Sequence, residues 1–204
     1  MSPVHARVRG KASSAVATLA CLLCVATVTA LSPAPAAAEP PEELVPFFAI
    51  SEVRAGVLAA NLEDGGDEKA TYLINIEYLF QKLGHSYEDP IWDMFLRPRP
   101  HVGFSLSPEG GTDQVYAGLT WEFRLNNWAF IEGSFGGTVH DGPTAGNDPN
   151  SYGCMLMFRE SASLGVDLDQ NWRLLFTVDH MSNAGLCDQN QGLTNAGVRL
   201  GYRW

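Results

Sequence analysis

The chain has 204 residues, of which 46% are hydrophobic, and a formal net charge of −10 at pH 7. Thirteen Lys and Arg against 23 Asp and Glu argue against a nucleic-acid partner, which needs a basic face. The first 38 residues have the form of a signal peptide: Arg7, Arg9 and Lys11 lead, an apolar run from about Ala15 to Leu31 follows, and Ala36-Ala37-Ala38 ends it as a small-residue cleavage site. Cys21 and Cys24 lie inside the apolar run and are expected to leave with it. The expected mature chain, Glu39–Trp204, has 166 residues, enough for one domain, and a net charge of −13.

Beyond the leader no apolar segment is long enough for a membrane-spanning helix. Period-two alternation recurs instead, in runs at about 48–61, 70–82, 100–108, 113–125, 128–139, 153–168, 172–183 and 193–204. In 70–82, Tyr72, Ile74, Ile76, Tyr78 and Phe80 share one face, with Asn75 and Glu77 on the other. In 113–125, Val115, Ala117, Leu119, Trp121 and Phe123 oppose Thr120, Glu122 and Arg124. The last run sets Val198, Leu200, Tyr202 and Trp204 against Arg199 and Arg203. Eight such runs predict an all-β fold, an eight-stranded antiparallel transmembrane β-barrel. Its interior would be just filled by side chains, so no wide pore is expected.

The connections sort the two ends. "NLEDGGDEKA", "SPEGGTD", "VHDGPTAGNDPNSY" and "AGLCDQNQGL" are polar and are assigned to the outside, while "NN" and "DQN" are tight inner turns. The stretch 83–99 is long for an inner connection and has room for a short helix. Trp121, Trp128, Trp172, Tyr202 and Trp204 fall near the inner strand ends, as one aromatic girdle. A soluble barrel of lipocalin type, apolar inside, is the competing architecture. Against it, the polar faces hold charges of both signs, from Glu52 and Arg54 to Arg199 and Arg203, which suits a salt-bridged interior.

In 172–183 the outward series Trp172, Leu174, Phe176, Val178 continues into His180 and Ser182. On a strand these two residues share a face, so an imidazole stands beside a hydroxyl on the lipid side, near the outer end. That is the minimum arrangement for activating a serine. Solvation of the pair at the rim is the bland alternative.

The segment "HMSNAGLCDQNQGL" resembles the PagL-type lipid A 3-O-deacylases, a family also called acyloxyacyl hydrolase-like outer-membrane proteins. The resemblance rests on His180, Ser182, Asn183, Ala184, Gly185, Asn190 and Gly192. It implies a Ser-His-acid esterase on the barrel's outer surface, acting on lipid A of lipopolysaccharide in the outer leaflet of the outer membrane. Ser182 would be the nucleophile and His180 the base, with Asn183, Gly185 and Asn190 as oxyanion or support residues. The position that holds Glu in the family, two beyond Gly192, is Thr194 here. Either another acid serves, or the chain is a non-catalytic structural or binding barrel that has lost the family's Glu.

The tight turn at 169–171 selects a replacement. Pairing Leu168 with Trp172 and counting back puts Glu160 opposite His180, and position 154 beside 186. Glu160 is the one acid in an outward series that includes Leu156, Phe158 and Ala162, and is expected to serve as the third catalytic residue, with Thr194 in support. Cys154 and Cys187, the two cysteines left in an oxidising compartment, are expected to form a disulfide. His101 and His140 lack partners at ligand spacing, so no metal and no cofactor is expected. "GFSLSPEGG" and "EGSFGG" lack the strand-turn-helix setting of a nucleophile elbow. The acidic "EDGGDE", 63–68, is read as a solvated loop, with cations bridging lipopolysaccharide phosphates as the alternative. A homodimer is left open.

Overall fold

The computed structural model describes residues 49–62, 71–144 and 151–204. The expected leader at 1–38 and the acidic loop at 63–68 lie outside these. Eight strands run β1 (Ile50–Ala59), β2 (Tyr72–Phe80), β3 (Arg99–Leu106), β4 (Gln114–Arg124), β5 (Ala129–His140), β6 (Leu156–Asp167), β7 (Trp172–Ser182) and β8 (Leu193–Arg203). Each pairs antiparallel with the next, and β1 pairs with β8 from Glu52↔Arg203 to Ala59↔Ala196, so the barrel is closed and has no free edge. All eight expected runs are strands. The largest departure is β6, which starts at Leu156 and not at 153. Gly153 turns the chain there with φ +80, and a Cβ on it would strike the Gln189 carbonyl.

The alternation decides between the two barrels. Outward Val115 and Val198 are 60% and 50% exposed, while inward Arg54 is 1% exposed. Charge is inside and apolar surface outside, the architecture of an outer-membrane protein. Arg54 joins Glu52, Glu77 and Glu132 at 2.6, 3.2 and 2.7 Å, and Arg173 joins Glu52, Glu122 and Asp167 at 3.2, 2.9 and 3.1 Å. Arg159 pairs with Asp179 at 3.0 Å and lies 3.8 Å from the centre of the Tyr116 ring. Buried charges persist only when paired in this way. Large inward apolar residues, Phe130 and Leu175 among them, complete a packed interior.

Tight turns close the inner end. Asn126 Oδ1 accepts from the backbone N–H of Trp128 and Ala129, and Asp169 Oδ1 accepts from Trp172 and Asn171. Those backbone donors, Trp172 first, hold the Asp169 carboxyl below its ordinary range. At this level Trp172 meets Tyr202 edge-on, with ring centroids 4.9 Å apart. The long inner connection holds one helix, α1 (Pro90–Leu96). Asp89 caps it by accepting from Ile91 N and Trp92 N at 2.8 and 3.2 Å, and Pro90 occupies its first turn.

Candidate active site on the outer wall

Strand β7 carries His180 and Ser182 to the loop end of the barrel on the outward face, both half-buried. The ladders on either side set their neighbours. Glu160 of β6 is directly opposite His180, and Phe158 is opposite Ser182. On the other flank Thr194 of β8 is opposite His180. Glu160, His180 and Thr194 thus form one row across three strands, at the register expected from the 169–171 turn. The row below it, Ala162, Val178 and Ala196, is small and apolar.

Within the row the imidazole turns toward β8: Nδ1 of His180 lies 2.8 Å from Thr194 Oγ1. Glu160 is exposed and makes no hydrogen bond to the ring among the described residues. Nor does Ser182 Oγ. Catalytic hydrogen bonds are often open before substrate arrives, so the shared face and the adjacency are the informative features. Beside Ser182, the Phe158 ring stacks with Phe135 of β5 at 5.9 Å between centroids, which makes the nearby wall apolar and aromatic.

The loop after β7 is held by one side chain. Asn183 is 2% exposed. Its Nδ2 donates to the carbonyls of Tyr152 and Gln189 at 2.7 and 2.6 Å, and its Oδ1 accepts from Gly185 N at 2.8 Å. Its own N–H donates to Asn190 Oδ1 at 2.8 Å. Ala184 and Gly185 take φ of +54 and +77, and Leu186 N returns to Asn183 O at 3.0 Å, which makes a two-residue primed turn. Cys154 and Cys187 form the expected disulfide, Cα–Cα 6.1 Å, and tie this loop to the start of β6.

Sequence reasoning placed Glu160 opposite His180 and missed two relationships. Asn183 was singled out by the motif, but its partners, the Tyr152 and Gln189 carbonyls, carried no sequence signal. The Phe135–Phe158 stack was foreseeable only as two outward aromatics. The two histidines set aside as metal ligands are placed otherwise: His101 Nδ1 meets Thr120 Oγ1 inside the barrel at 2.9 Å, and His140 Nε2 meets the Cys154 carbonyl at 2.7 Å.

A closed eight-stranded barrel with charge inside and apolar side chains outside defines a class, the outer-membrane β-barrels. The family described as lipid A 3-O-deacylase (PagL) matches residues 81–203, well over half of the chain, and the chain belongs to that family. The crystal structure of the outer membrane enzyme PagL is similar at 18% identity and a TM-score of 0.56, covering 74% of this chain and 98% of PagL. The attachment invasion locus protein Ail of Yersinia pestis is similar at 15% identity and a TM-score of 0.44, covering 77% of this chain and 99% of Ail. No curated protein matches the chain by sequence.

Proposed function

We propose that the protein removes an ester-linked acyl chain from lipid A in the outer leaflet, by a Ser-His-acid mechanism. The observation that carries this is the row on the outer wall: His180 between Glu160 and Thr194, with Ser182 next along the strand, all facing lipid. A soluble ester has no reason to be met there, whereas an acyl chain in the leaflet lies against that wall.

The chemistry follows from the groups present. With Nδ1–H donated to Thr194 Oγ1, Nε2 of His180 is the nitrogen that takes the proton as Ser182 Oγ attacks the ester carbonyl. Glu160, one cross-strand step away, supplies the negative charge that stabilises the imidazolium. Asn183 N–H bonds to Asn190 Oδ1, which leaves the Asn190 Nδ2 group as a donor for the tetrahedral oxyanion. Asn183 and Gly185 support that donor by holding the loop. The imidazolium then protonates the departing sugar hydroxyl, and water, deprotonated by His180, releases the fatty acid from Ser182. The apolar Phe158–Phe135 wall and the small row below the site suit an alkyl chain.

Mass spectrometry of lipid A tests the proposal. Cells with the gene should lose one ester-linked acyl chain, and cells carrying Ser182→Ala or His180→Ala should not, although the barrel still shows heat-modifiable migration on gels. Deacylated lipid A in either variant would overturn the serine mechanism. Unmodified lipid A in the wild type would favour the non-catalytic barrel.

A further inference from the structure

Helix α1 has no buried residue, and its apolar side chains are not scattered. Ile91, Trp92, Phe95 and Leu96 stand at i, i+1, i+4 and i+5, along one flank. All four are exposed, Ile91 at 62% and Phe95 at 50%. The other flank is charged: Asp93 pairs with Lys82 at 2.9 Å and with Arg97 at 2.8 Å. An inner connection does not require such a helix, since the turns at Asn126 and Asp169 reverse the chain within a few residues.

The helix is also docked. The Phe95 ring meets Phe123 edge-on at 5.8 Å, and Trp121 Nε1 donates to the Phe95 carbonyl at 2.9 Å. Trp121 and Phe123 belong to the outward series of β4, below Val115, at the end beside the tight inner turn. α1 therefore lies on the outside of the barrel wall, and its exposed apolar flank continues the lipid-facing band at its inner edge.

We propose that α1 is an in-plane membrane anchor: Ile91, Trp92, Phe95 and Leu96 enter the headgroup–acyl boundary of the inner-leaflet phospholipid, and Lys82, Asp93 and Arg97 remain on the aqueous side. Phospholipid is the occupant because the flank is continuous with a surface that already faces lipid. Trp92 also adds an indole at the level of Trp128, Trp172 and Trp204, where amphipathic rings settle. This inference does not depend on the deacylase activity.

Nitroxide labelling tests it on the oxidised protein, in which Cys154 and Cys187 are bonded to each other, folded into phosphatidylethanolamine–phosphatidylglycerol vesicles. Labels are placed at Ile91→Cys, with Val115→Cys as the lipid reference and Gln170→Cys as the aqueous one. At 91, as at 115, collisions with oxygen should exceed those with a water-soluble nickel chelate severalfold, the reverse of 170. Leu96→Cys repeats the measurement should a label at 91 disturb the helix. If 91 and 96 behave like 170 while 115 stays in lipid, the anchor is refuted and the flank is open to a soluble protein. If 115 is aqueous too, the membrane placement of the barrel fails and the anchor fails with it.

Discussion

His180 and Thr194 face each other directly across the β7–β8 ladder, and Nδ1 of the ring is 2.8 Å from the threonine oxygen. The hydroxyl thus meets the ring from the position where the resembled motif has Glu, but it brings no charge. A neutral hydrogen bond of this kind is worth about 1 kcal/mol, or roughly fivefold in rate. In the proposed mechanism the charge comes from Glu160 on the opposite flank.

Thr194→Val should therefore lower lipid A deacylation only by roughly fivefold. Glu160→Gln should lower it by about 100-fold or more, as expected when the acid beside a catalytic imidazole is neutralised. Thr194→Glu should restore much of what Glu160→Gln loses. Single-turnover assays on reconstituted barrels distinguish these outcomes. A larger loss in Thr194→Val than in Glu160→Gln would remove Glu160 from the mechanism.

The Cys154–Cys187 bond closes a 33-residue separation and joins the loop after β7 to the start of β6. Its loop-closure contribution is about 3–4 kcal/mol. The strand ladders do not depend on it, whereas the Asn183 knot uses carbonyls on both sides of it. Reduction should thus lower turnover and expose the 183–192 loop to proteases, and leave the folded gel band intact. Equal activity in reduced and oxidised protein would show that the knot holds the loop unaided.

The fold was legible because alternation fixes which face each residue takes, and a short turn fixes the offset between neighbouring strands. Those two constraints placed Glu160 opposite His180 and the two cysteines within reach of each other. They could not reveal which neighbour the imidazole would choose. Glu160 and Thr194 flank it equally in the ladder, and a side-chain rotation decides between them. The helix at Pro90 was foreshadowed by room in 83–99, but its docking on Trp121 and Phe123 depends on where the chain returns in space.

Inside the barrel, Arg54 is bound by three carboxylates. Glu52 also has Arg99 and Arg173, and Glu77 has Arg199, all within 3.2 Å, whereas Glu132 has only Arg173 besides, at 3.7 Å, among the described residues. Arg54→Met should therefore cost about 3–5 kcal/mol, the usual cost of leaving a buried charge unpaired. Most of it should return in Arg54→Met combined with Glu132→Gln. Urea unfolding in lipid vesicles measures both, and a double variant no better than the single would place the cost elsewhere in the network.

Asn183 offers the sharpest test of the loop. Its amide nitrogen faces two carbonyl oxygens, and its amide oxygen faces the N–H of Gly185. Asn183→Asp keeps the size and the acceptor but points a second oxygen at the carbonyls of Tyr152 and Gln189. Two buried acceptors lose their donor, at about 1–3 kcal/mol each, and a carboxylate is desolvated beside them. The loop should open, and with it the bond from Asn183 N–H that orients Asn190. The expected result is a fall in kcat of about 100-fold, the size of losing one oxyanion donor, with the barrel band unchanged on gels. Asn190→Ala should match that loss in kcat, yet leave the loop as resistant to proteolysis as wild type. Were Asn183→Asp to keep full activity, the loop geometry would not be what supports Asn190.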